Sequence, residues 1–227
     1  MRVRMRFTKE GALKFIGHLD TMRYFQKLMR RAKIPIAYSA GMSPHQILSF
    51  ALPLGIGDES IGEYADIELT ESVKSTDAIA ALCREGIDEI RILSFKYLPE
   101  KAINAMASVE AADYRITFHK CPCEDLSKQF SEFMEQPEIV VLKKTKKSER
   151  LLDIKPFIFS FSASEDTLDL RLKCGSVDNT KPELVLEAFY RYLDVDLDPF
   201  DISLMRLDLL TFSDNGFVSL DEIGEEL

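Results

Sequence analysis

The sequence predicts an α+β protein built from two tandem ferredoxin-like halves, each a βαββαβ unit. Three observations support this fold class. An alternating strand pattern opens the chain, and the next predicted element is a helix. The succession of strand and helix patterns recurs in the second half of the sequence. At 227 residues, the chain is long enough for two small domains.

The first half, residues 1–98, contains the six elements in the expected order. Arg2 to Phe7 alternates apolar and basic residues, which predicts a half-buried strand with one basic face. A helix with regularly spaced apolar residues follows from Leu19 to Lys33 and ends before Pro35. Two strands, a helix and a last strand complete this half, at Ile47–Leu52, Tyr64–Leu69, Ser75–Cys83 and Ile90–Tyr97.

The second half, residues 112–213, follows a joint from Pro99 to Ala112. Its strands are predicted at Asp113–Phe118, Ile158–Ala163, Thr167–Leu172 and Ser203–Phe212, and Ile139–Lys143 is predicted to start a long strand or a hairpin arm. A helix is predicted from Glu124 to Met134, and the capping box Thr180-Lys-Pro-Glu183 opens another that runs to Leu193. This half has one strand more than the βαββαβ template. Residues 214–227 are interpreted as an acidic tail.

The composition is typical of a soluble globular protein, with 46% apolar and 30% charged residues. No window approaches the roughly eighteen consecutive apolar residues of a membrane helix. The basic N-terminus continues into Phe7-Thr-Lys-Glu10, where a signal peptide needs an apolar stretch. We therefore expect a cytoplasmic protein without a membrane partner.

The four cysteines do not form the pattern of a disulfide framework. Only Cys121 and Cys123 are close in sequence, and His119 is the one nearby residue that commonly binds metals. A structural zinc ion needs four ligands, so two ordinary thiols at the start of a helix are favoured over a zinc site. We expect no cofactor.

Charge is distributed unevenly along the chain. Residues 1–50 contain ten Lys or Arg and two acidic residues, for a net charge of +8, although the whole chain carries −9. The other 177 residues therefore carry 19 basic and 36 acidic residues, or −17. A basic region on an acidic protein can steer a polyanion to one face. The alternative is a chance cluster of solvated charges.

Arg23, Lys27, Arg30 and Arg31 recur at helical spacing on one face of the first predicted helix. Clustered cations of this kind predict a nucleic-acid interface more reliably than the overall charge does.

Three short segments are candidates for chemistry or binding. In the first, His18 precedes the basic helix within Phe15-Ile-Gly-His-Leu-Asp20. His18 can act as a general acid or base, contact a phosphate at the helix N-terminus, or cap the helix together with Asp20. The sequence favours capping, because no second catalytic group lies nearby.

The second segment, Tyr38-Ser-Ala-Gly-Met-Ser-Pro-His-Gln46, is a loop of small residues that includes Ser43 and His45. Glycine permits close approach of a ligand, and Tyr38 can stack on a base. A surface loop that leads into the next strand is an equally good interpretation.

The third segment is the basic tip Lys143-Lys-Thr-Lys-Lys-Ser-Glu-Arg150. Lys143, Lys144, Lys146 and Lys147 can contact a phosphate backbone, or they can form a solvated hairpin end. None of the three segments is a diagnostic catalytic motif.

Several separated segments together resemble one family: Gly17-His-Leu-Asp20, Arg30-Arg-Ala-Lys-Ile-Pro35, Tyr38-Ser-Ala-Gly41, Ser43-Pro-His45 and Phe50-Ala-Leu-Pro-Leu-Gly55. They resemble the radical-SAM-linked protein family, a bacterial domain of unknown function found beside or fused to radical SAM proteins. Lys147 to Pro156 also resembles the second-half signature of that family. The resemblance implies a radical SAM protein as partner and implies no particular reaction.

The tandem fold is also similar to that of the RAMP endoribonucleases, which cut CRISPR repeats and often use a histidine. This is an analogy of fold only. The sequence lacks a clear glycine-rich loop near its C-terminus, which weakens the comparison with these nucleases.

The leading hypothesis is an RNA-binding accessory protein without catalysis of its own, which presents tRNA or rRNA to a radical SAM enzyme. The alternatives are a metal-independent endoribonuclease that uses His18 or His45, and a protein-interaction adaptor without RNA contact. The predicted RNA-binding residues are Arg4, Arg6, Lys14, His18, Arg23, Lys27, Arg30, Arg31, Tyr38, Ser43, His45, Lys143, Lys144, Lys146 and Lys147.

Overall fold

The structure is a computed structural model that describes residues 1–144, 149–175, 179–214 and 216–227. It is a mixed α+β protein in which the described residues form eleven strands and five helices. No helix in these ranges is long and apolar enough to cross a bilayer. The chain divides into two compact units, Met1–Glu110 with Arg206–Leu227, and Ala111–Met205.

The strands are β1 Arg2–Lys9, β2 Leu48–Phe50, β3 Glu59–Glu68, β4 Ile92–Tyr97, β5 Ala111–Phe118, β6 Val140–Lys144, β7 Glu149–Asp153, β8 Ile158–Ala163, β9 Thr167–Lys173, β10 Ile202–Ser213 and β11 Gly216–Ser219. The helices are α1 His18–Arg31, α2 Ser75–Glu85, α3 Ala105–Ser108, α4 Leu126–Glu135 and α5 Pro182–Tyr192.

The first unit is a mostly antiparallel sheet covered by α1 and α2. Its strands are ordered β4, β1, β3, β10, with β2 also paired to β3 and β11 to β10. The core forms where the apolar residues of β1 meet the buried side of α1. Phe7, Phe25 and Phe50 pack edge to face there, with ring centroids 4.6 to 5.8 Å apart.

The second unit contains the antiparallel strands β5, β9 and β8, and a separate hairpin of β6 and β7. Its core is aromatic. Phe130 and Phe133 of α4 pack against Phe189 of α5, with ring centroids 5.0 to 5.4 Å apart. These three side chains are almost fully buried.

The order of strands and helices in the first half follows the sequence prediction, with shifted boundaries. The largest shift is in β3, which begins at Glu59, five residues before the predicted Tyr64. The early part of this strand buries polar residues that an apolar pattern does not reveal. Ser60 donates to the carbonyl of Arg206, and the Glu63 carboxylate accepts from the Arg206 guanidinium.

In the second half, the hairpin arm predicted at Ile139–Lys143 is followed by a partner strand, β7, that the sequence analysis did not assign. β7 has three exposed residues followed by two half-buried ones. Such a strand carries little of the alternation by which strands are recognised.

Residues 214–227, predicted as an acidic tail, contain a strand and a short helical turn in their described part. β11 pairs with β10, and the 3-10 turn Leu220–Glu222 follows, with a capping box between Ser219 and Glu222. Leu220 is fully buried, and the Asp221 carboxylate accepts hydrogen bonds from Ser94 and Lys96. One apolar anchor and partnered carboxylates hold this segment in the first unit, so the boundary falls within β10 rather than after it.

Candidate nucleic-acid interface

The spacing of residues in α1 places its apolar side chains on one side of the helix and most of its cations on the other. Its buried residues are Thr21, Phe25, Leu28 and Met29. Lys27, Arg30 and Arg31 lie on the exposed side, and no ion pair involves them among the described residues. The fourth predicted cation, Arg23, is exposed and pairs with Asp20 at 3.0 Å. Three cations of α1 are therefore available to an anionic ligand.

The chain leaves α1 through a tight turn into the Tyr38–Gln46 loop. Lys33 adopts a left-handed conformation with φ 55°, and the Ile34 amide donates to the Met29 carbonyl at 3.0 Å. This arrangement satisfies a carbonyl at the helix end and reverses the chain. The loop thereby returns alongside the helix.

The Tyr38–Gln46 loop is closed by hydrogen bonds at its base. The Ser39 amide donates to the His45 carbonyl at 2.8 Å, and the His45 amide donates to Ser39 Oγ at 3.1 Å. Ser39 Oγ also lies 2.9 Å from His45 Nδ1. Gly41, at the tip, has φ 112°, which a residue with a side chain rarely adopts. The loop is thus an ordered hairpin-like structure.

A pocket of about 190 Å³ lies between α1 and this loop, lined by Gln26, Arg30, Tyr38, Pro44, His45 and Gln46. Three of these residues were predicted as RNA-binding: Arg30 from the helix, and Tyr38 and His45 from the loop. The structure therefore brings together two segments that the sequence analysis singled out separately. Ser43 is exposed on the same loop.

Gln46 is one of the residues that line the pocket and is 5% exposed. Its Nε2 lies 3.2 Å from the Gln26 carbonyl and 3.3 Å from the Tyr38 hydroxyl. Its Oε1 is buried and has no hydrogen-bond partner among the described residues. The sequence analysis missed Gln26 and Gln46. The available signal for Gln26 was its position one helical turn before Arg30.

Arg4, at the centre of the predicted basic face of β1, does not face solvent, which corrects the prediction for this residue. Arg4 is 2% exposed and donates to both carboxylate oxygens of Asp66, at 2.8 and 3.0 Å, and to the Ile103 carbonyl. Arg6 is half-buried and lies over the Tyr64 ring. Residues 103–105 lie over Arg4 and Asp66 on this side of the sheet. The alternation of basic and apolar residues in β1 therefore does not place Arg4 in contact with solvent. Arg4 is therefore not accessible to RNA in this structure.

His18 is the first residue of α1, and Lys14 lies in the 3-10 turn Gly11–Phe15 that precedes it. Gly17 is the N-cap, and no side chain caps the helix, so neither His18 nor Asp20 has the predicted capping role. The His18 ring packs edge to face on Phe50, with centroids 5.4 Å apart. Lys14 is partly exposed, with Nζ 3.8 Å from Glu59 Oε1.

His18 also borders a cavity of about 20 Å³, with Phe7, Lys9, Phe50 and Glu63 among its other walls. This volume is enough for about one water molecule and far too small for a nucleotide. Lys9 is buried beside it and donates to the Ile16 carbonyl at 3.0 Å. Burial lowers the pKa of Lys9, against the opposing attraction of Glu63 and Asp58.

The basic tip of the second unit is described only in part. Lys143 Nζ donates to the Asn179 carbonyl at 3.0 Å, and the backbone of Lys144 is opposite Glu149 in the β6–β7 hairpin. The side chain of Lys144 and the whole of Lys146 and Lys147 lie outside the described residues.

Cys121 and Cys123 are partly exposed, free thiols. Burial, together with the neighbouring Cys121, raises the pKa of Cys123 to about 11. In the described ranges, no group of three or more His, Cys, Asp or Glu side chains is arranged to hold a metal ion. His119 Nε2 instead lies 2.6 Å from Ser203 Oγ.

Residues 2–182 match the family described as uncharacterized protein conserved in bacteria (DUF2344), and the chain belongs to this family. The description names no activity and no radical SAM partner, so both stay predictions. No protein with a curated description matches the chain. Among solved structures, the chain is similar to a heavy metal efflux pump in a crystal structure, at 7% identity and a TM-score of 0.25. That alignment covers 90% of this chain and 28% of the pump, and at this TM-score it does not establish a shared fold.

Proposed function

We propose that this member of the DUF2344 family binds RNA through α1 and the Tyr38–Gln46 loop, as a non-catalytic accessory of a radical SAM enzyme that modifies tRNA or rRNA. The observation that carries the RNA-binding role is the position of Lys27, Arg30 and Arg31. These cations are exposed, lack ion-pair partners among the described residues, and lie beside an open pocket.

Exposed cations without carboxylate partners suit phosphate binding for an energetic reason. An arginine that already bonds a buried carboxylate, as Arg4 does, must lose that partner before it can bind another anion. Lys27, Arg30 and Arg31 have no such cost, and the counterions released when they bind phosphate favour association.

We further propose that both units have the ferredoxin-like plan. The strand order β4, β1, β3, β2 of the first unit supports this, with α1 after β1 and α2 between β3 and β4. In the second unit, the order β5, β9, β8 supports it, with α4 after β5 and α5 after β9. On this interpretation, the β6–β7 hairpin is an insertion between α4 and β8.

The radical SAM partnership rests on the resemblance of the segments around His18, Arg30 and Phe50 to radical-SAM-linked proteins. Co-purification with a radical SAM protein that survives nuclease treatment supports this part of the proposal. Loss of the association after that treatment shows that RNA alone bridges the two proteins and removes the direct partnership.

Titration of labelled tRNA with the full chain, over a series of salt concentrations, tests RNA binding. We expect the double variant Lys27→Glu/Arg31→Glu to bind at least about tenfold more weakly at low salt than wild type. Its plot of log K against log salt should be shallower by about 1.4, the value for two lost phosphate contacts on a single strand. Neither residue lines the pocket, so this variant tests the cationic face alone.

The matched control is Lys74→Glu/Lys101→Glu, which changes the net charge equally at two other exposed lysines of the first unit. It should keep nearly wild-type affinity. Equal weakening by both double variants would show that only net charge matters, and absence of binding at low salt would exclude the proposed function.

A further inference from the structure

We propose that the pocket between α1 and the Tyr38–Gln46 loop binds a terminal phosphate of the RNA, which is a phosphomonoester group at one end of the chain. The inference rests on the proposed RNA binding and names the chemical group that this pocket recognises. The exposed cations Lys27 and Arg31, which do not line the pocket, bind phosphodiesters within the chain.

The first argument is the charge of the pocket. Arg30 lines it, is exposed, and forms no ion pair among the described residues. None of the described residues in the lining is acidic. A guanidinium has five N–H donors in a planar fork, which fits two phosphate oxygens at once, and it has no acceptor. The pocket therefore favours an anion that presents several oxygens.

The second argument is the hydrogen bonding of His45. Its amide donates to Ser39 Oγ at 3.1 Å, and the same oxygen lies 2.9 Å from its Nδ1. Because Oγ already accepts from the amide, the serine hydroxyl hydrogen can donate to Nδ1 of the neutral ring, and the ring proton is then on Nε2. The protonated ring also carries a proton on Nε2. In both states, this exposed lining residue offers an N–H donor to an anion.

The third argument is the hydroxyl group of Tyr38, a lining residue that is 51% exposed. Gln46 Nε2 donates to the hydroxyl oxygen at 3.3 Å, so the hydroxyl hydrogen is available to a ligand. The carboxamide oxygen of Gln46 is buried and offers no acceptor there. Arg30 from the helix, and Tyr38 and His45 from the two ends of the loop, therefore supply hydrogen-bond donors.

The number of donors favours a terminal phosphate over an internal one. A phosphomonoester has three terminal oxygens and a charge of about −2, whereas a phosphodiester has two such oxygens and a charge of −1. Three donor side chains match the three oxygens of the monoester. A volume of about 190 Å³ suits a phosphate and the sugar atoms next to it, because pockets for drug-sized ligands measure roughly 300–1,000 Å³.

Binding of short oligouridines to the full chain at low salt tests the inference. One probe carries a 5′-phosphate, and a second carries a 3′-phosphate. The comparison probe has hydroxyls at both ends and is two nucleotides longer, so that its net charge is about the same as theirs. We expect wild type to bind at least one phosphorylated probe about tenfold more tightly than the comparison probe, because hydrogen bonds to a charged group are strong.

Three variants locate the effect. Arg30→Gln removes the charge of the pocket and should reduce the preference for a phosphorylated probe to about twofold or less. Arg31→Gln is the matched control, because it removes the same charge at the next position, outside the pocket. It should weaken the binding of every probe and keep the ratio between them. Tyr38→Phe removes one donor and keeps the ring, and it should lower the preference by about threefold. Thermal unfolding checks that all three variants are folded.

The outcomes separate this inference from the function on which it rests. Equal affinity for the phosphorylated probes and the comparison probe overturns the terminal-phosphate pocket and leaves RNA binding in place. A preference that is unchanged in Arg30→Gln also overturns it, since the phosphate then binds elsewhere. If uridine 5′-monophosphate binds as tightly as the 5′-phosphorylated probe, the ligand is a free phosphate ester, and the RNA end is overturned. If no probe binds at low salt, both proposals fail.

Discussion

Two of the cross-strand arginine–aspartate pairs, Arg4–Asp66 in the first unit and Arg115–Asp169 in the second, have the same geometry in different surroundings. Arg4 of β1 is directly opposite Asp66 of β3, and Arg115 of β5 is directly opposite Asp169 of β9. Both pairs are bidentate, with N–O distances of 2.8 and 3.0 Å in the first and 2.8 and 2.7 Å in the second. The side chains are 2% and 8% exposed in the first pair and 48% and 36% exposed in the second.

The difference arises from what covers the sheet. In the first unit, residues 103–105 lie over the Arg4–Asp66 pair, where the Ile103 carbonyl accepts from Arg4 and the Ala105 amide donates to Asp66. Water has access to the Arg115–Asp169 pair instead. The same ion pair is therefore a buried structural element in one unit and a surface contact in the other.

The largest expected effect is on stability, when the buried pair is broken. Arg4→Met leaves the Asp66 carboxylate buried beside the Ala105 amide without its counterion. Removal of one partner from a buried pair costs about 3–5 kcal/mol of the free energy of unfolding. Urea denaturation followed by circular dichroism measures this loss.

The double variant Arg4→Met/Asp66→Leu serves as the control, because it removes both charges. It should recover a large part of the stability lost in Arg4→Met, since paired buried charges contribute little net stability over apolar residues. A loss below about 1 kcal/mol in Arg4→Met, the range of exposed pairs, would contradict the assignment of Arg4 to the interior.

Lys9 adds a third buried charge to the comparison, because within the described residues this cation donates its hydrogen bonds to backbone carbonyls. Its pKa is lowered by burial from the ordinary value of 10.5. The unfolded chain therefore holds the lysine proton more tightly, and the free energy of unfolding rises with pH between the lowered pKa and 10.5. We expect wild type to gain stability relative to Lys9→Met as the pH increases through that window.

Urea denaturation of both proteins at several pH values measures this difference. Both proteins contain Glu63, Asp58 and Arg206. The pH dependence that these residues contribute is therefore the same to first order and cancels in the difference between the two free energies of unfolding. A difference that is constant with pH, or that falls as the pH rises, would contradict the lowered pKa of Lys9.

The sequence predicts α1 and the order of elements in the first half well, because amphipathic spacing and a following proline are local signals. It fails at β1, where alternating arginines indicate a solvent face and the structure buries Arg4. The partner of Arg4 lies 62 residues away in β3, and the covering segment lies a further 37 residues on. No local pattern contains that information.

The residues that line the pocket show the same limit of prediction from local sequence patterns. Tyr38, Ser43 and His45 attract notice because they interrupt a loop of small residues, and Arg30 belongs to a visible basic face. Gln46 has no such signal, since a glutamine before a strand is usually exposed. Its importance depends on contacts with Gln26 and Tyr38 that exist only after the loop folds back on α1.

The smallest expected effect is at the exposed pair of the second unit. Arg115→Met should change the free energy of unfolding by about 1 kcal/mol or less, because water solvates Asp169 once its partner is gone. High salt should shrink even this difference, since ions screen exposed charges and leave the buried Arg4–Asp66 pair almost unaffected. Parallel urea titrations of Arg4→Met and Arg115→Met at low and high salt make the comparison direct. Equal losses in the two variants would show that the bidentate geometry, and not burial, determines the energy of these pairs.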